Sequence, residues 1–161
     1  MLTPLEQWYC DNCGEVIQSA REGYLEWLND GKAHSFKIVH HAPASPRRPG
    51  GGDCYHYTRH RHRRDINLDS FVGPAGMARL LSFLDVGPIH DPDAEHSPQV
   101  QNMREFAELM RRLTIPYYEE ALRYWSRADA DDYFGGANEV WIYLPDTLRT
   151  LIERYGEEDE D

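Results

Sequence analysis

The sequence predicts an α+β protein, in which a small β-hairpin lobe held together by a metal ion packs on a C-terminal helical bundle. Residues 10–56 contain all three cysteines and four of the eight histidines of the chain. Two strand-like runs lie between these cysteines, and apolar residues recur at helical spacing in the second half. We expect the β lobe to span residues 1–65, the helical region 66–156, and an acidic disordered tail 157–161.

The hairpin is predicted by the composition of residues 24–41. Aromatic and β-branched residues are concentrated in Tyr24–Leu28 and Phe36–His41, and Asn29–Lys32 between them contains turn residues. Side chains alternate between the two faces of a strand. This alternation favours His40 over His41 for the buried face, because His40 shares its face with two apolar residues.

The metal site is predicted by the spacing of the cysteines. Cys10 and Cys13 form a C-x2-C turn followed by Gly14, which can adopt the positive φ that such turns often need. A tetrahedral ion needs two further ligands, and His40 and Cys54 follow at the end of the hairpin and after a loop. We therefore expect structural Zn²⁺ held by four residues, with His41 or His56 as substitutes for the third or fourth ligand: Cys10, Cys13, His40 and Cys54.

Other uses of these thiols stay open. A C-x2-C pair can be a redox pair, and buried cysteines can be plain small side chains. A zinc ion with three protein ligands and a bound water would instead be catalytic. That arrangement would make the protein a zinc-dependent hydrolase.

The turn Cys10–Gly14 ahead of a β-hairpin resembles the zinc-ribbon and zinc-knuckle class, over about residues 8–56. The chain departs from that pattern at Cys54-Tyr55-His56, where one residue rather than two separates the second pair. The resemblance implies a metal-bound scaffold and not an activity, since this class serves many functions.

A basic segment follows the proline- and glycine-rich loop of residues 42–53. Four arginines alternate with histidines in it, and tyrosines precede it. Arginine beside aromatic rings is typical of nucleic-acid contacts, so a zinc ribbon that binds nucleic acid through Arg59–Arg64 is one hypothesis. The alternative is that these arginines pair with the acidic C-terminal half of the chain.

The helical region is predicted from apolar periodicity and capping residues. Residues 65–71 are expected to be a connector, and Pro74 to open a first helix. Ser97 is expected to cap a second helix, whose buried face comprises Met103, Phe106, Ala107, Met110 and Leu113. A third helix follows Pro116, Asn138 is a possible cap, and Pro145 opens the last helix, whose buried residues are Leu148, Leu151, Ile152 and Tyr155.

Charge and composition limit the function classes. The formal net charge is −11, and residues 93–161 carry seven basic against seventeen acidic residues. Such a half repels phosphate and favours a basic partner. The odd cysteine number and the lack of a signal segment predict a cytoplasmic protein, and no run reaches the roughly 20 apolar residues of a membrane span.

The search for catalytic patterns yields no constellation. Ser70, Ser82, Ser97 and Ser126 lie in no G-x-S-x-G setting, and the adjacent Glu119 and Glu120 are expected on a solvent-exposed helix face. The aromatic residues of the helical half exceed what one thin core stripe needs, so they either fill a small core and hydrogen-bond at its edge or form a contact surface. We therefore expect a non-enzymatic, zinc-stabilised interaction protein that binds a protein partner through an acidic, aromatic-rich helical surface, for example an inhibitor of phage or host-defence type.

Overall fold

The computed structural model describes residues 1–47, 53–87 and 97–156, and within them the protein is a mixed α+β structure. The strands are β1 (Trp8–Tyr9), β2 (Val16–Ile17), β3 (Gly23–Asn29), β4 (Ala33–His40) and β5 (Arg63–Asn67). The helices are α1 (Gly73–Ser82), α2 (Met103–Thr114), α3 (Tyr118–Ala121), α4 (Trp125–Ala130) and α5 (Pro145–Gly156). No helix in these ranges is long and apolar enough to cross a membrane.

The larger sheet has three antiparallel strands in the order β4-β3-β5. The predicted hairpin is confirmed: β3 pairs with β4 from Gly23↔His40 to Asn29↔Ala33, with a register shift between Glu26 and Leu28. The prediction of a connector over residues 65–71 is wrong, because β5 extends to Asn67 on the other side of β3. Its sequence gave little strand signal, since Ile66 is its one apolar residue.

Acceptors from other parts of the chain bind the outward-facing N–H groups of β4. The backbone N–H of Ile38 donates to a carboxylate oxygen of Asp11 at 2.7 Å, and the N–H of Phe36 donates to Glu105 at 2.8 Å. The N–H of Ala33 donates to the carbonyl of Gln99 at 2.8 Å. These groups point away from β3, so the loop before β2 and the start of α2 cover the strand.

The second helix starts later than the sequence predicted. Ser97 does not cap it, because α2 begins at Met103 and Asn102 accepts hydrogen bonds from the N–H groups of Arg104 and Glu105. Its buried face also differs from the predicted one. Phe106 and Leu113 are buried as expected, but the third buried residue is Leu109, and Met103 is exposed.

The apolar interior consists of two clusters. The first lies between the larger sheet, β1, β2, α1 and α2, and it includes Cys10 and Cys54. The second joins α3, α4 and α5, and it contains the four residues predicted for the last helix: Leu148, Leu151, Ile152 and Tyr155. Because α2 shares the first cluster, the cysteine-containing lobe packs directly on a helix of the C-terminal half.

Several predictions concern residues outside the described ranges. The glycines of the loop at 50–52 and the acidic tail at 157–161 are among them. Five residues of metal-ligating type also lie outside these ranges: His90, Asp91, Asp93, Glu95 and His96. The division of the chain at residue 65 stays a prediction, and β5 lies across it.

Candidate metal centre

The fold brings together the four residues that the sequence singled out. One ligand atom from each of Cys10, Cys13, His40 and Cys54 lies within 4.8 Å of all the others, and this Cys3His group can hold a metal ion. A tetrahedral ion with sulfur bonds of about 2.3 Å separates its sulfurs by about 3.8 Å, so the group is near the required size. Three of the four residues are buried, and all three cysteines are free thiols.

The turn that carries the first two cysteines is built by local backbone bonds. The N–H of Cys10 donates to the carbonyl of Glu15 and the N–H of Gly14 donates to the carbonyl of Cys10, both at 2.9 Å. Gly14 has a φ of +79°, as its place after the C-x2-C pair predicted. Pairing of β1 with β2 closes the base of this turn, which points both thiols toward the end of β4.

His40 is oriented by a hydrogen bond on the far side of its ring. Its Nε2 lies 3.2 Å from the carbonyl oxygen of Val16, which can only accept, so Nε2 carries the proton. Nδ1 is then the unprotonated nitrogen, and it lies 3.5 Å from the sulfur of Cys13. Metal-binding histidines generally have such a carbonyl partner on the second nitrogen.

The two histidines named as substitutes lie elsewhere. The ring of His41 packs edge-on against Tyr24 at 6.2 Å, and the ring of His56 packs against Tyr57 at 4.8 Å. Neither belongs to the group of ligand atoms that the described residues form. The strand alternation that favoured His40 therefore selected the residue that lies with the thiols.

Cys54 reaches the group from the far end of the proline- and glycine-rich loop. The side-chain amide of Asn12 donates to the carbonyl of Cys54 at 2.9 Å, and the hydroxyl of Ser45 lies 3.1 Å from the sulfur. Ser45 lies near the start of the loop and Cys54 directly follows its end. Both ends of the loop are therefore fixed beside the cysteine turn.

Burial disfavours the thiolates in the metal-free protein. It raises the pKa of Cys13 to about 12, against the opposing hydrogen bond from the backbone at Glu15. Burial also raises the pKa of Cys54, although the hydroxyl of Ser45 lowers it. A divalent cation that binds here displaces the thiol protons, since thiolates are the ligand form of cysteine.

An ion network connects the cysteine turn to the helices, and it is most buried at Glu119. Asp11, inside the turn, accepts from the guanidinium of Arg112 at 2.9 and 3.0 Å, and the same guanidinium donates to Glu119 at 2.7 Å. Burial alone would lower the pKa of Arg112, but the hydrogen bonds to Glu119 and the charges of Glu119 and Asp11 raise it above its usual value. Arg112 thus stays charged between two carboxylates.

The predicted exposed face at Glu119 and Glu120 is wrong, because both carboxylates are buried. Glu119 accepts from the N–H of Tyr9 at 3.0 Å. Glu120 accepts from the N–H of Leu2 and from the hydroxyl of Tyr9, each at 3.0 Å. These donors lie more than 100 residues away along the chain, and no local pattern signals them.

The basic segment is held by a buried carboxylate. Glu26 on β3 accepts from the N–H groups of His56 and Tyr57 at 2.9 and 3.1 Å, and it pairs with Arg63 at 2.9 Å. Arg63 also pairs with Asp65. Arg63 is therefore neutralised within the sheet rather than by the acidic half, and the exposed arginines of this segment are Arg59, Arg61 and Arg64.

Comparisons of the chain with protein-family models, with curated proteins and with solved structures find no match. What the site can do follows from its donor atoms. Three thiols and one oriented imidazole around a small buried space are compatible with a zinc-binding segment.

Proposed function

We propose that this protein is a zinc-stabilised interaction protein, in which Cys10, Cys13, His40 and Cys54 bind one structural Zn²⁺ and the helical half binds a protein partner. The donor set supports zinc, since thiolate and imidazole ligands in a tetrahedral group suit this ion. Four protein ligands leave no position for a substrate, which favours a structural role over a zinc hydrolase. A reducing compartment such as the cytoplasm would keep the thiols available.

The interaction role rests on the composition and exposure of one segment, which runs from the end of α4 to the start of α5. Residues 129–146 contain five acidic residues and no lysine or arginine, and all five are exposed: Asp129, Asp131, Asp132, Glu139 and Asp146. Large apolar side chains are exposed among them, with Val140 68%, Leu144 45% and Trp141 39% accessible. We call this segment the acidic aromatic surface.

Aromatic side chains packed against one another support this surface. Trp125 stacks on Tyr143 at 5.8 Å and contacts Phe134 at 4.6 Å, while the guanidinium of Arg111 lies 4.2 Å from the centre of the Tyr143 ring. An open groove of about 350 Å³ runs between Tyr133 and Trp141. Rigid aromatic side chains lose little conformational entropy when a partner binds. Because the surface is acidic and contains this groove, the partner we propose is a basic protein segment with an apolar side chain that fits the groove.

Two sets of variants test this role. Trp141→Ala is expected to weaken the partner's binding by about 2 kcal/mol, which is about 30-fold, because it removes the central anchor. The double variant Asp129→Lys/Glu139→Lys is expected to abolish capture at physiological salt by repelling a basic partner. The measurement is affinity capture and mass spectrometry with each variant as bait.

The matched control is Glu6→Lys/Glu153→Lys, which makes the same charge change at exposed positions outside the surface. A basic protein that is captured by wild type and by the control, and lost from both surface variants, supports the proposal. Proteins captured equally by all four baits contradict it.

A second candidate function rests on the basic segment. Arg59, Arg61 and Arg64 are exposed, and Glu26 fixes the start of their loop through two backbone hydrogen bonds. Exposed arginines that lie close along the chain to the aromatic residue Tyr57 suit the backbone and bases of single-stranded nucleic acid. Arg63 does not take part in this candidate site, because it is paired internally.

This candidate is tested with a fluorescein-labelled single-stranded oligonucleotide. If the segment binds nucleic acid, anisotropy titrations show affinity that falls with salt, and Arg61→Glu/Arg64→Glu lowers the log–log salt slope by about 1.4, or about 0.7 for each lost phosphate contact. Arg149→Glu, an exposed charge reversal on α5, should leave the slope unchanged. Absence of binding at low salt removes this candidate.

A further inference from the structure

Three polar side chains at the tip of the hairpin are joined by hydrogen bonds, and none of them belongs to the Cys3His group. The hydroxyl of Ser35 lies 2.9 Å from Nδ1 of His34, and Nε2 of the same ring lies 3.1 Å from a carboxylate oxygen of Asp30. Nucleophile, base and orienting carboxylate are thus joined in order. This is the arrangement by which serine hydrolases activate a hydroxyl.

The carboxylate settles which nitrogen of His34 carries the proton. An ionised Asp30 can only accept, so Nε2 donates to it. Nδ1 is then unprotonated and accepts the hydroxyl proton of Ser35. In the neutral ring, the base is thus in the form that a proton transfer from Ser35 requires.

Adjacent residues of a regular strand point to opposite faces, so His34 and Ser35 meet only because β4 is irregular here. The register shift of the hairpin lies opposite these residues, and Ser35 has a φ of +58°. This left-handed conformation is costly for a residue with a side chain, and glycine would adopt it freely. Strain of this kind is found at functional sites.

An open pocket of about 620 Å³ lies beside the hydroxyl, between the hairpin tip and the start of α2. His34, Ser35 and Arg104 are among the residues that line it. The start of α2 contributes one positive and one negative side chain to the lining, Arg104 and Glu105. The Glu105 carboxylate accepts from the N–H of Phe36, so the cation available to a substrate in this pocket is Arg104.

We propose that Ser35, His34 and Asp30 form a hydrolytic site for small carboxylic esters. Ser35 is the nucleophile, His34 the general base and acid, and Asp30 a positioning residue. This activity is separate from the proposed binding function and uses none of its residues. The serines considered from sequence did not include Ser35, and the only sequence signal is its position next to a histidine.

The reaction proceeds in two balanced halves. The Ser35 oxygen attacks the ester carbonyl carbon, its proton moves to Nδ1 of His34, and collapse of the tetrahedral species expels the alcohol, which takes that proton. Water then attacks the acyl-serine, gives a proton to His34, and releases the carboxylic acid as the proton returns to the Ser35 oxygen. The net change is one ester and one water to one acid and one alcohol.

The test uses the full-length, metal-replete protein with p-nitrophenyl acetate and a fluorophosphonate probe. Wild type is expected to release nitrophenolate with saturation and to carry the phosphonyl group on Ser35 by peptide mass spectrometry. Ser35→Ala should lose the labelling and His34→Ala should lower kcat by about 100-fold or more. Ser82→Ala is the matched control and should behave as wild type, since its hydroxyl is exposed and bonds only its own helix.

Ser35→Gly separates catalysis from stability. Glycine relieves the left-handed strain, so this variant is expected to raise the midpoint of thermal unfolding and to abolish turnover. Asp30→Asn should lower kcat without changing KM, and Asp30→Glu should restore part of it. Turnover that survives in Ser35→Gly, or labelling spread over several serines, overturns the proposal.

Discussion

Replacing Cys54 by serine is expected to release the metal and to unfold the β lobe. The apparent binding free energy of structural zinc is about 10–16 kcal/mol. The whole stability of a domain is about 5–15 kcal/mol, so the metal-free lobe should not remain folded. Elemental analysis should find one zinc per wild-type chain and none in Cys54→Ser. Near-UV circular dichroism should show the loss of packing around Trp8 and Trp27, which lie in the same core.

His41→Ala and His56→Ala are the matched controls for this prediction. Each removes a histidine that the sequence offered as a ligand and that the structure places apart from the thiols. Both variants should retain one zinc ion and the wild-type spectrum. A fully folded wild-type protein without metal, or a Cys54→Ser protein that binds zinc as tightly as wild type, contradicts the proposed site.

Replacing Arg112 by alanine should cost about 3–5 kcal/mol of stability, because it leaves the buried carboxylate of Glu119 without its cation. The Arg112 side chain is only 14% exposed, and it bonds Asp11 and Glu119 at once. Urea unfolding of the zinc-saturated protein, followed by tryptophan fluorescence, measures this loss.

Arg149→Ala is the control for the arginine network. The Arg149 side chain is 51% exposed and its two partners lie at 3.6 and 3.9 Å, so this variant should change stability by less than about 0.5 kcal/mol. Equal effects of the two substitutions would show that the buried network contributes no more than a surface pair.

The network also joins two parts that the sequence presented as separate. Asp11 lies inside the cysteine turn, Arg112 lies near the end of α2, and Glu119 lies in α3. A displacement of the turn on metal loss moves the carboxylate away from Arg112. We therefore expect metal removal to destabilise the β lobe and to weaken the proposed binding of a partner at the acidic aromatic surface.

Local patterns were enough to predict the hairpin and to name the four residues, Cys10, Cys13, His40 and Cys54, that the fold brings together. The C-x2-C-G turn has few alternative conformations, and the period of two along β4 distinguishes His40 from His41. The last helix was equally readable, since Pro145 opens it and Leu148, Leu151 and Ile152 repeat at helical spacing. In each case neighbours along the chain determine the outcome.

Features that depend on distant partners could not be predicted. Glu119 and Glu120 were predicted on a solvated face because carboxylates rarely lie inside a protein. Their burial depends on Arg112 and on donors from Leu2 and Tyr9, which are more than 100 residues away along the chain. The strand β5 is rich in charged residues. It pairs with β3 in the sheet, where Arg63 forms an ion pair with the buried Glu26. The positive φ of Ser35 could not be predicted either, because glycine is the residue type that usually indicates a positive φ.

The closed edge of β4 has a consequence for how this protein meets other molecules. An exposed strand edge ordinarily invites strand addition, and through it fibril growth or peptide capture. Here Asp11, Glu105 and Gln99 already accept the outward N–H groups of Ile38, Phe36 and Ala33. An extended visiting chain finds no vacant donor at those three positions, which disfavours strand addition to this edge of β4.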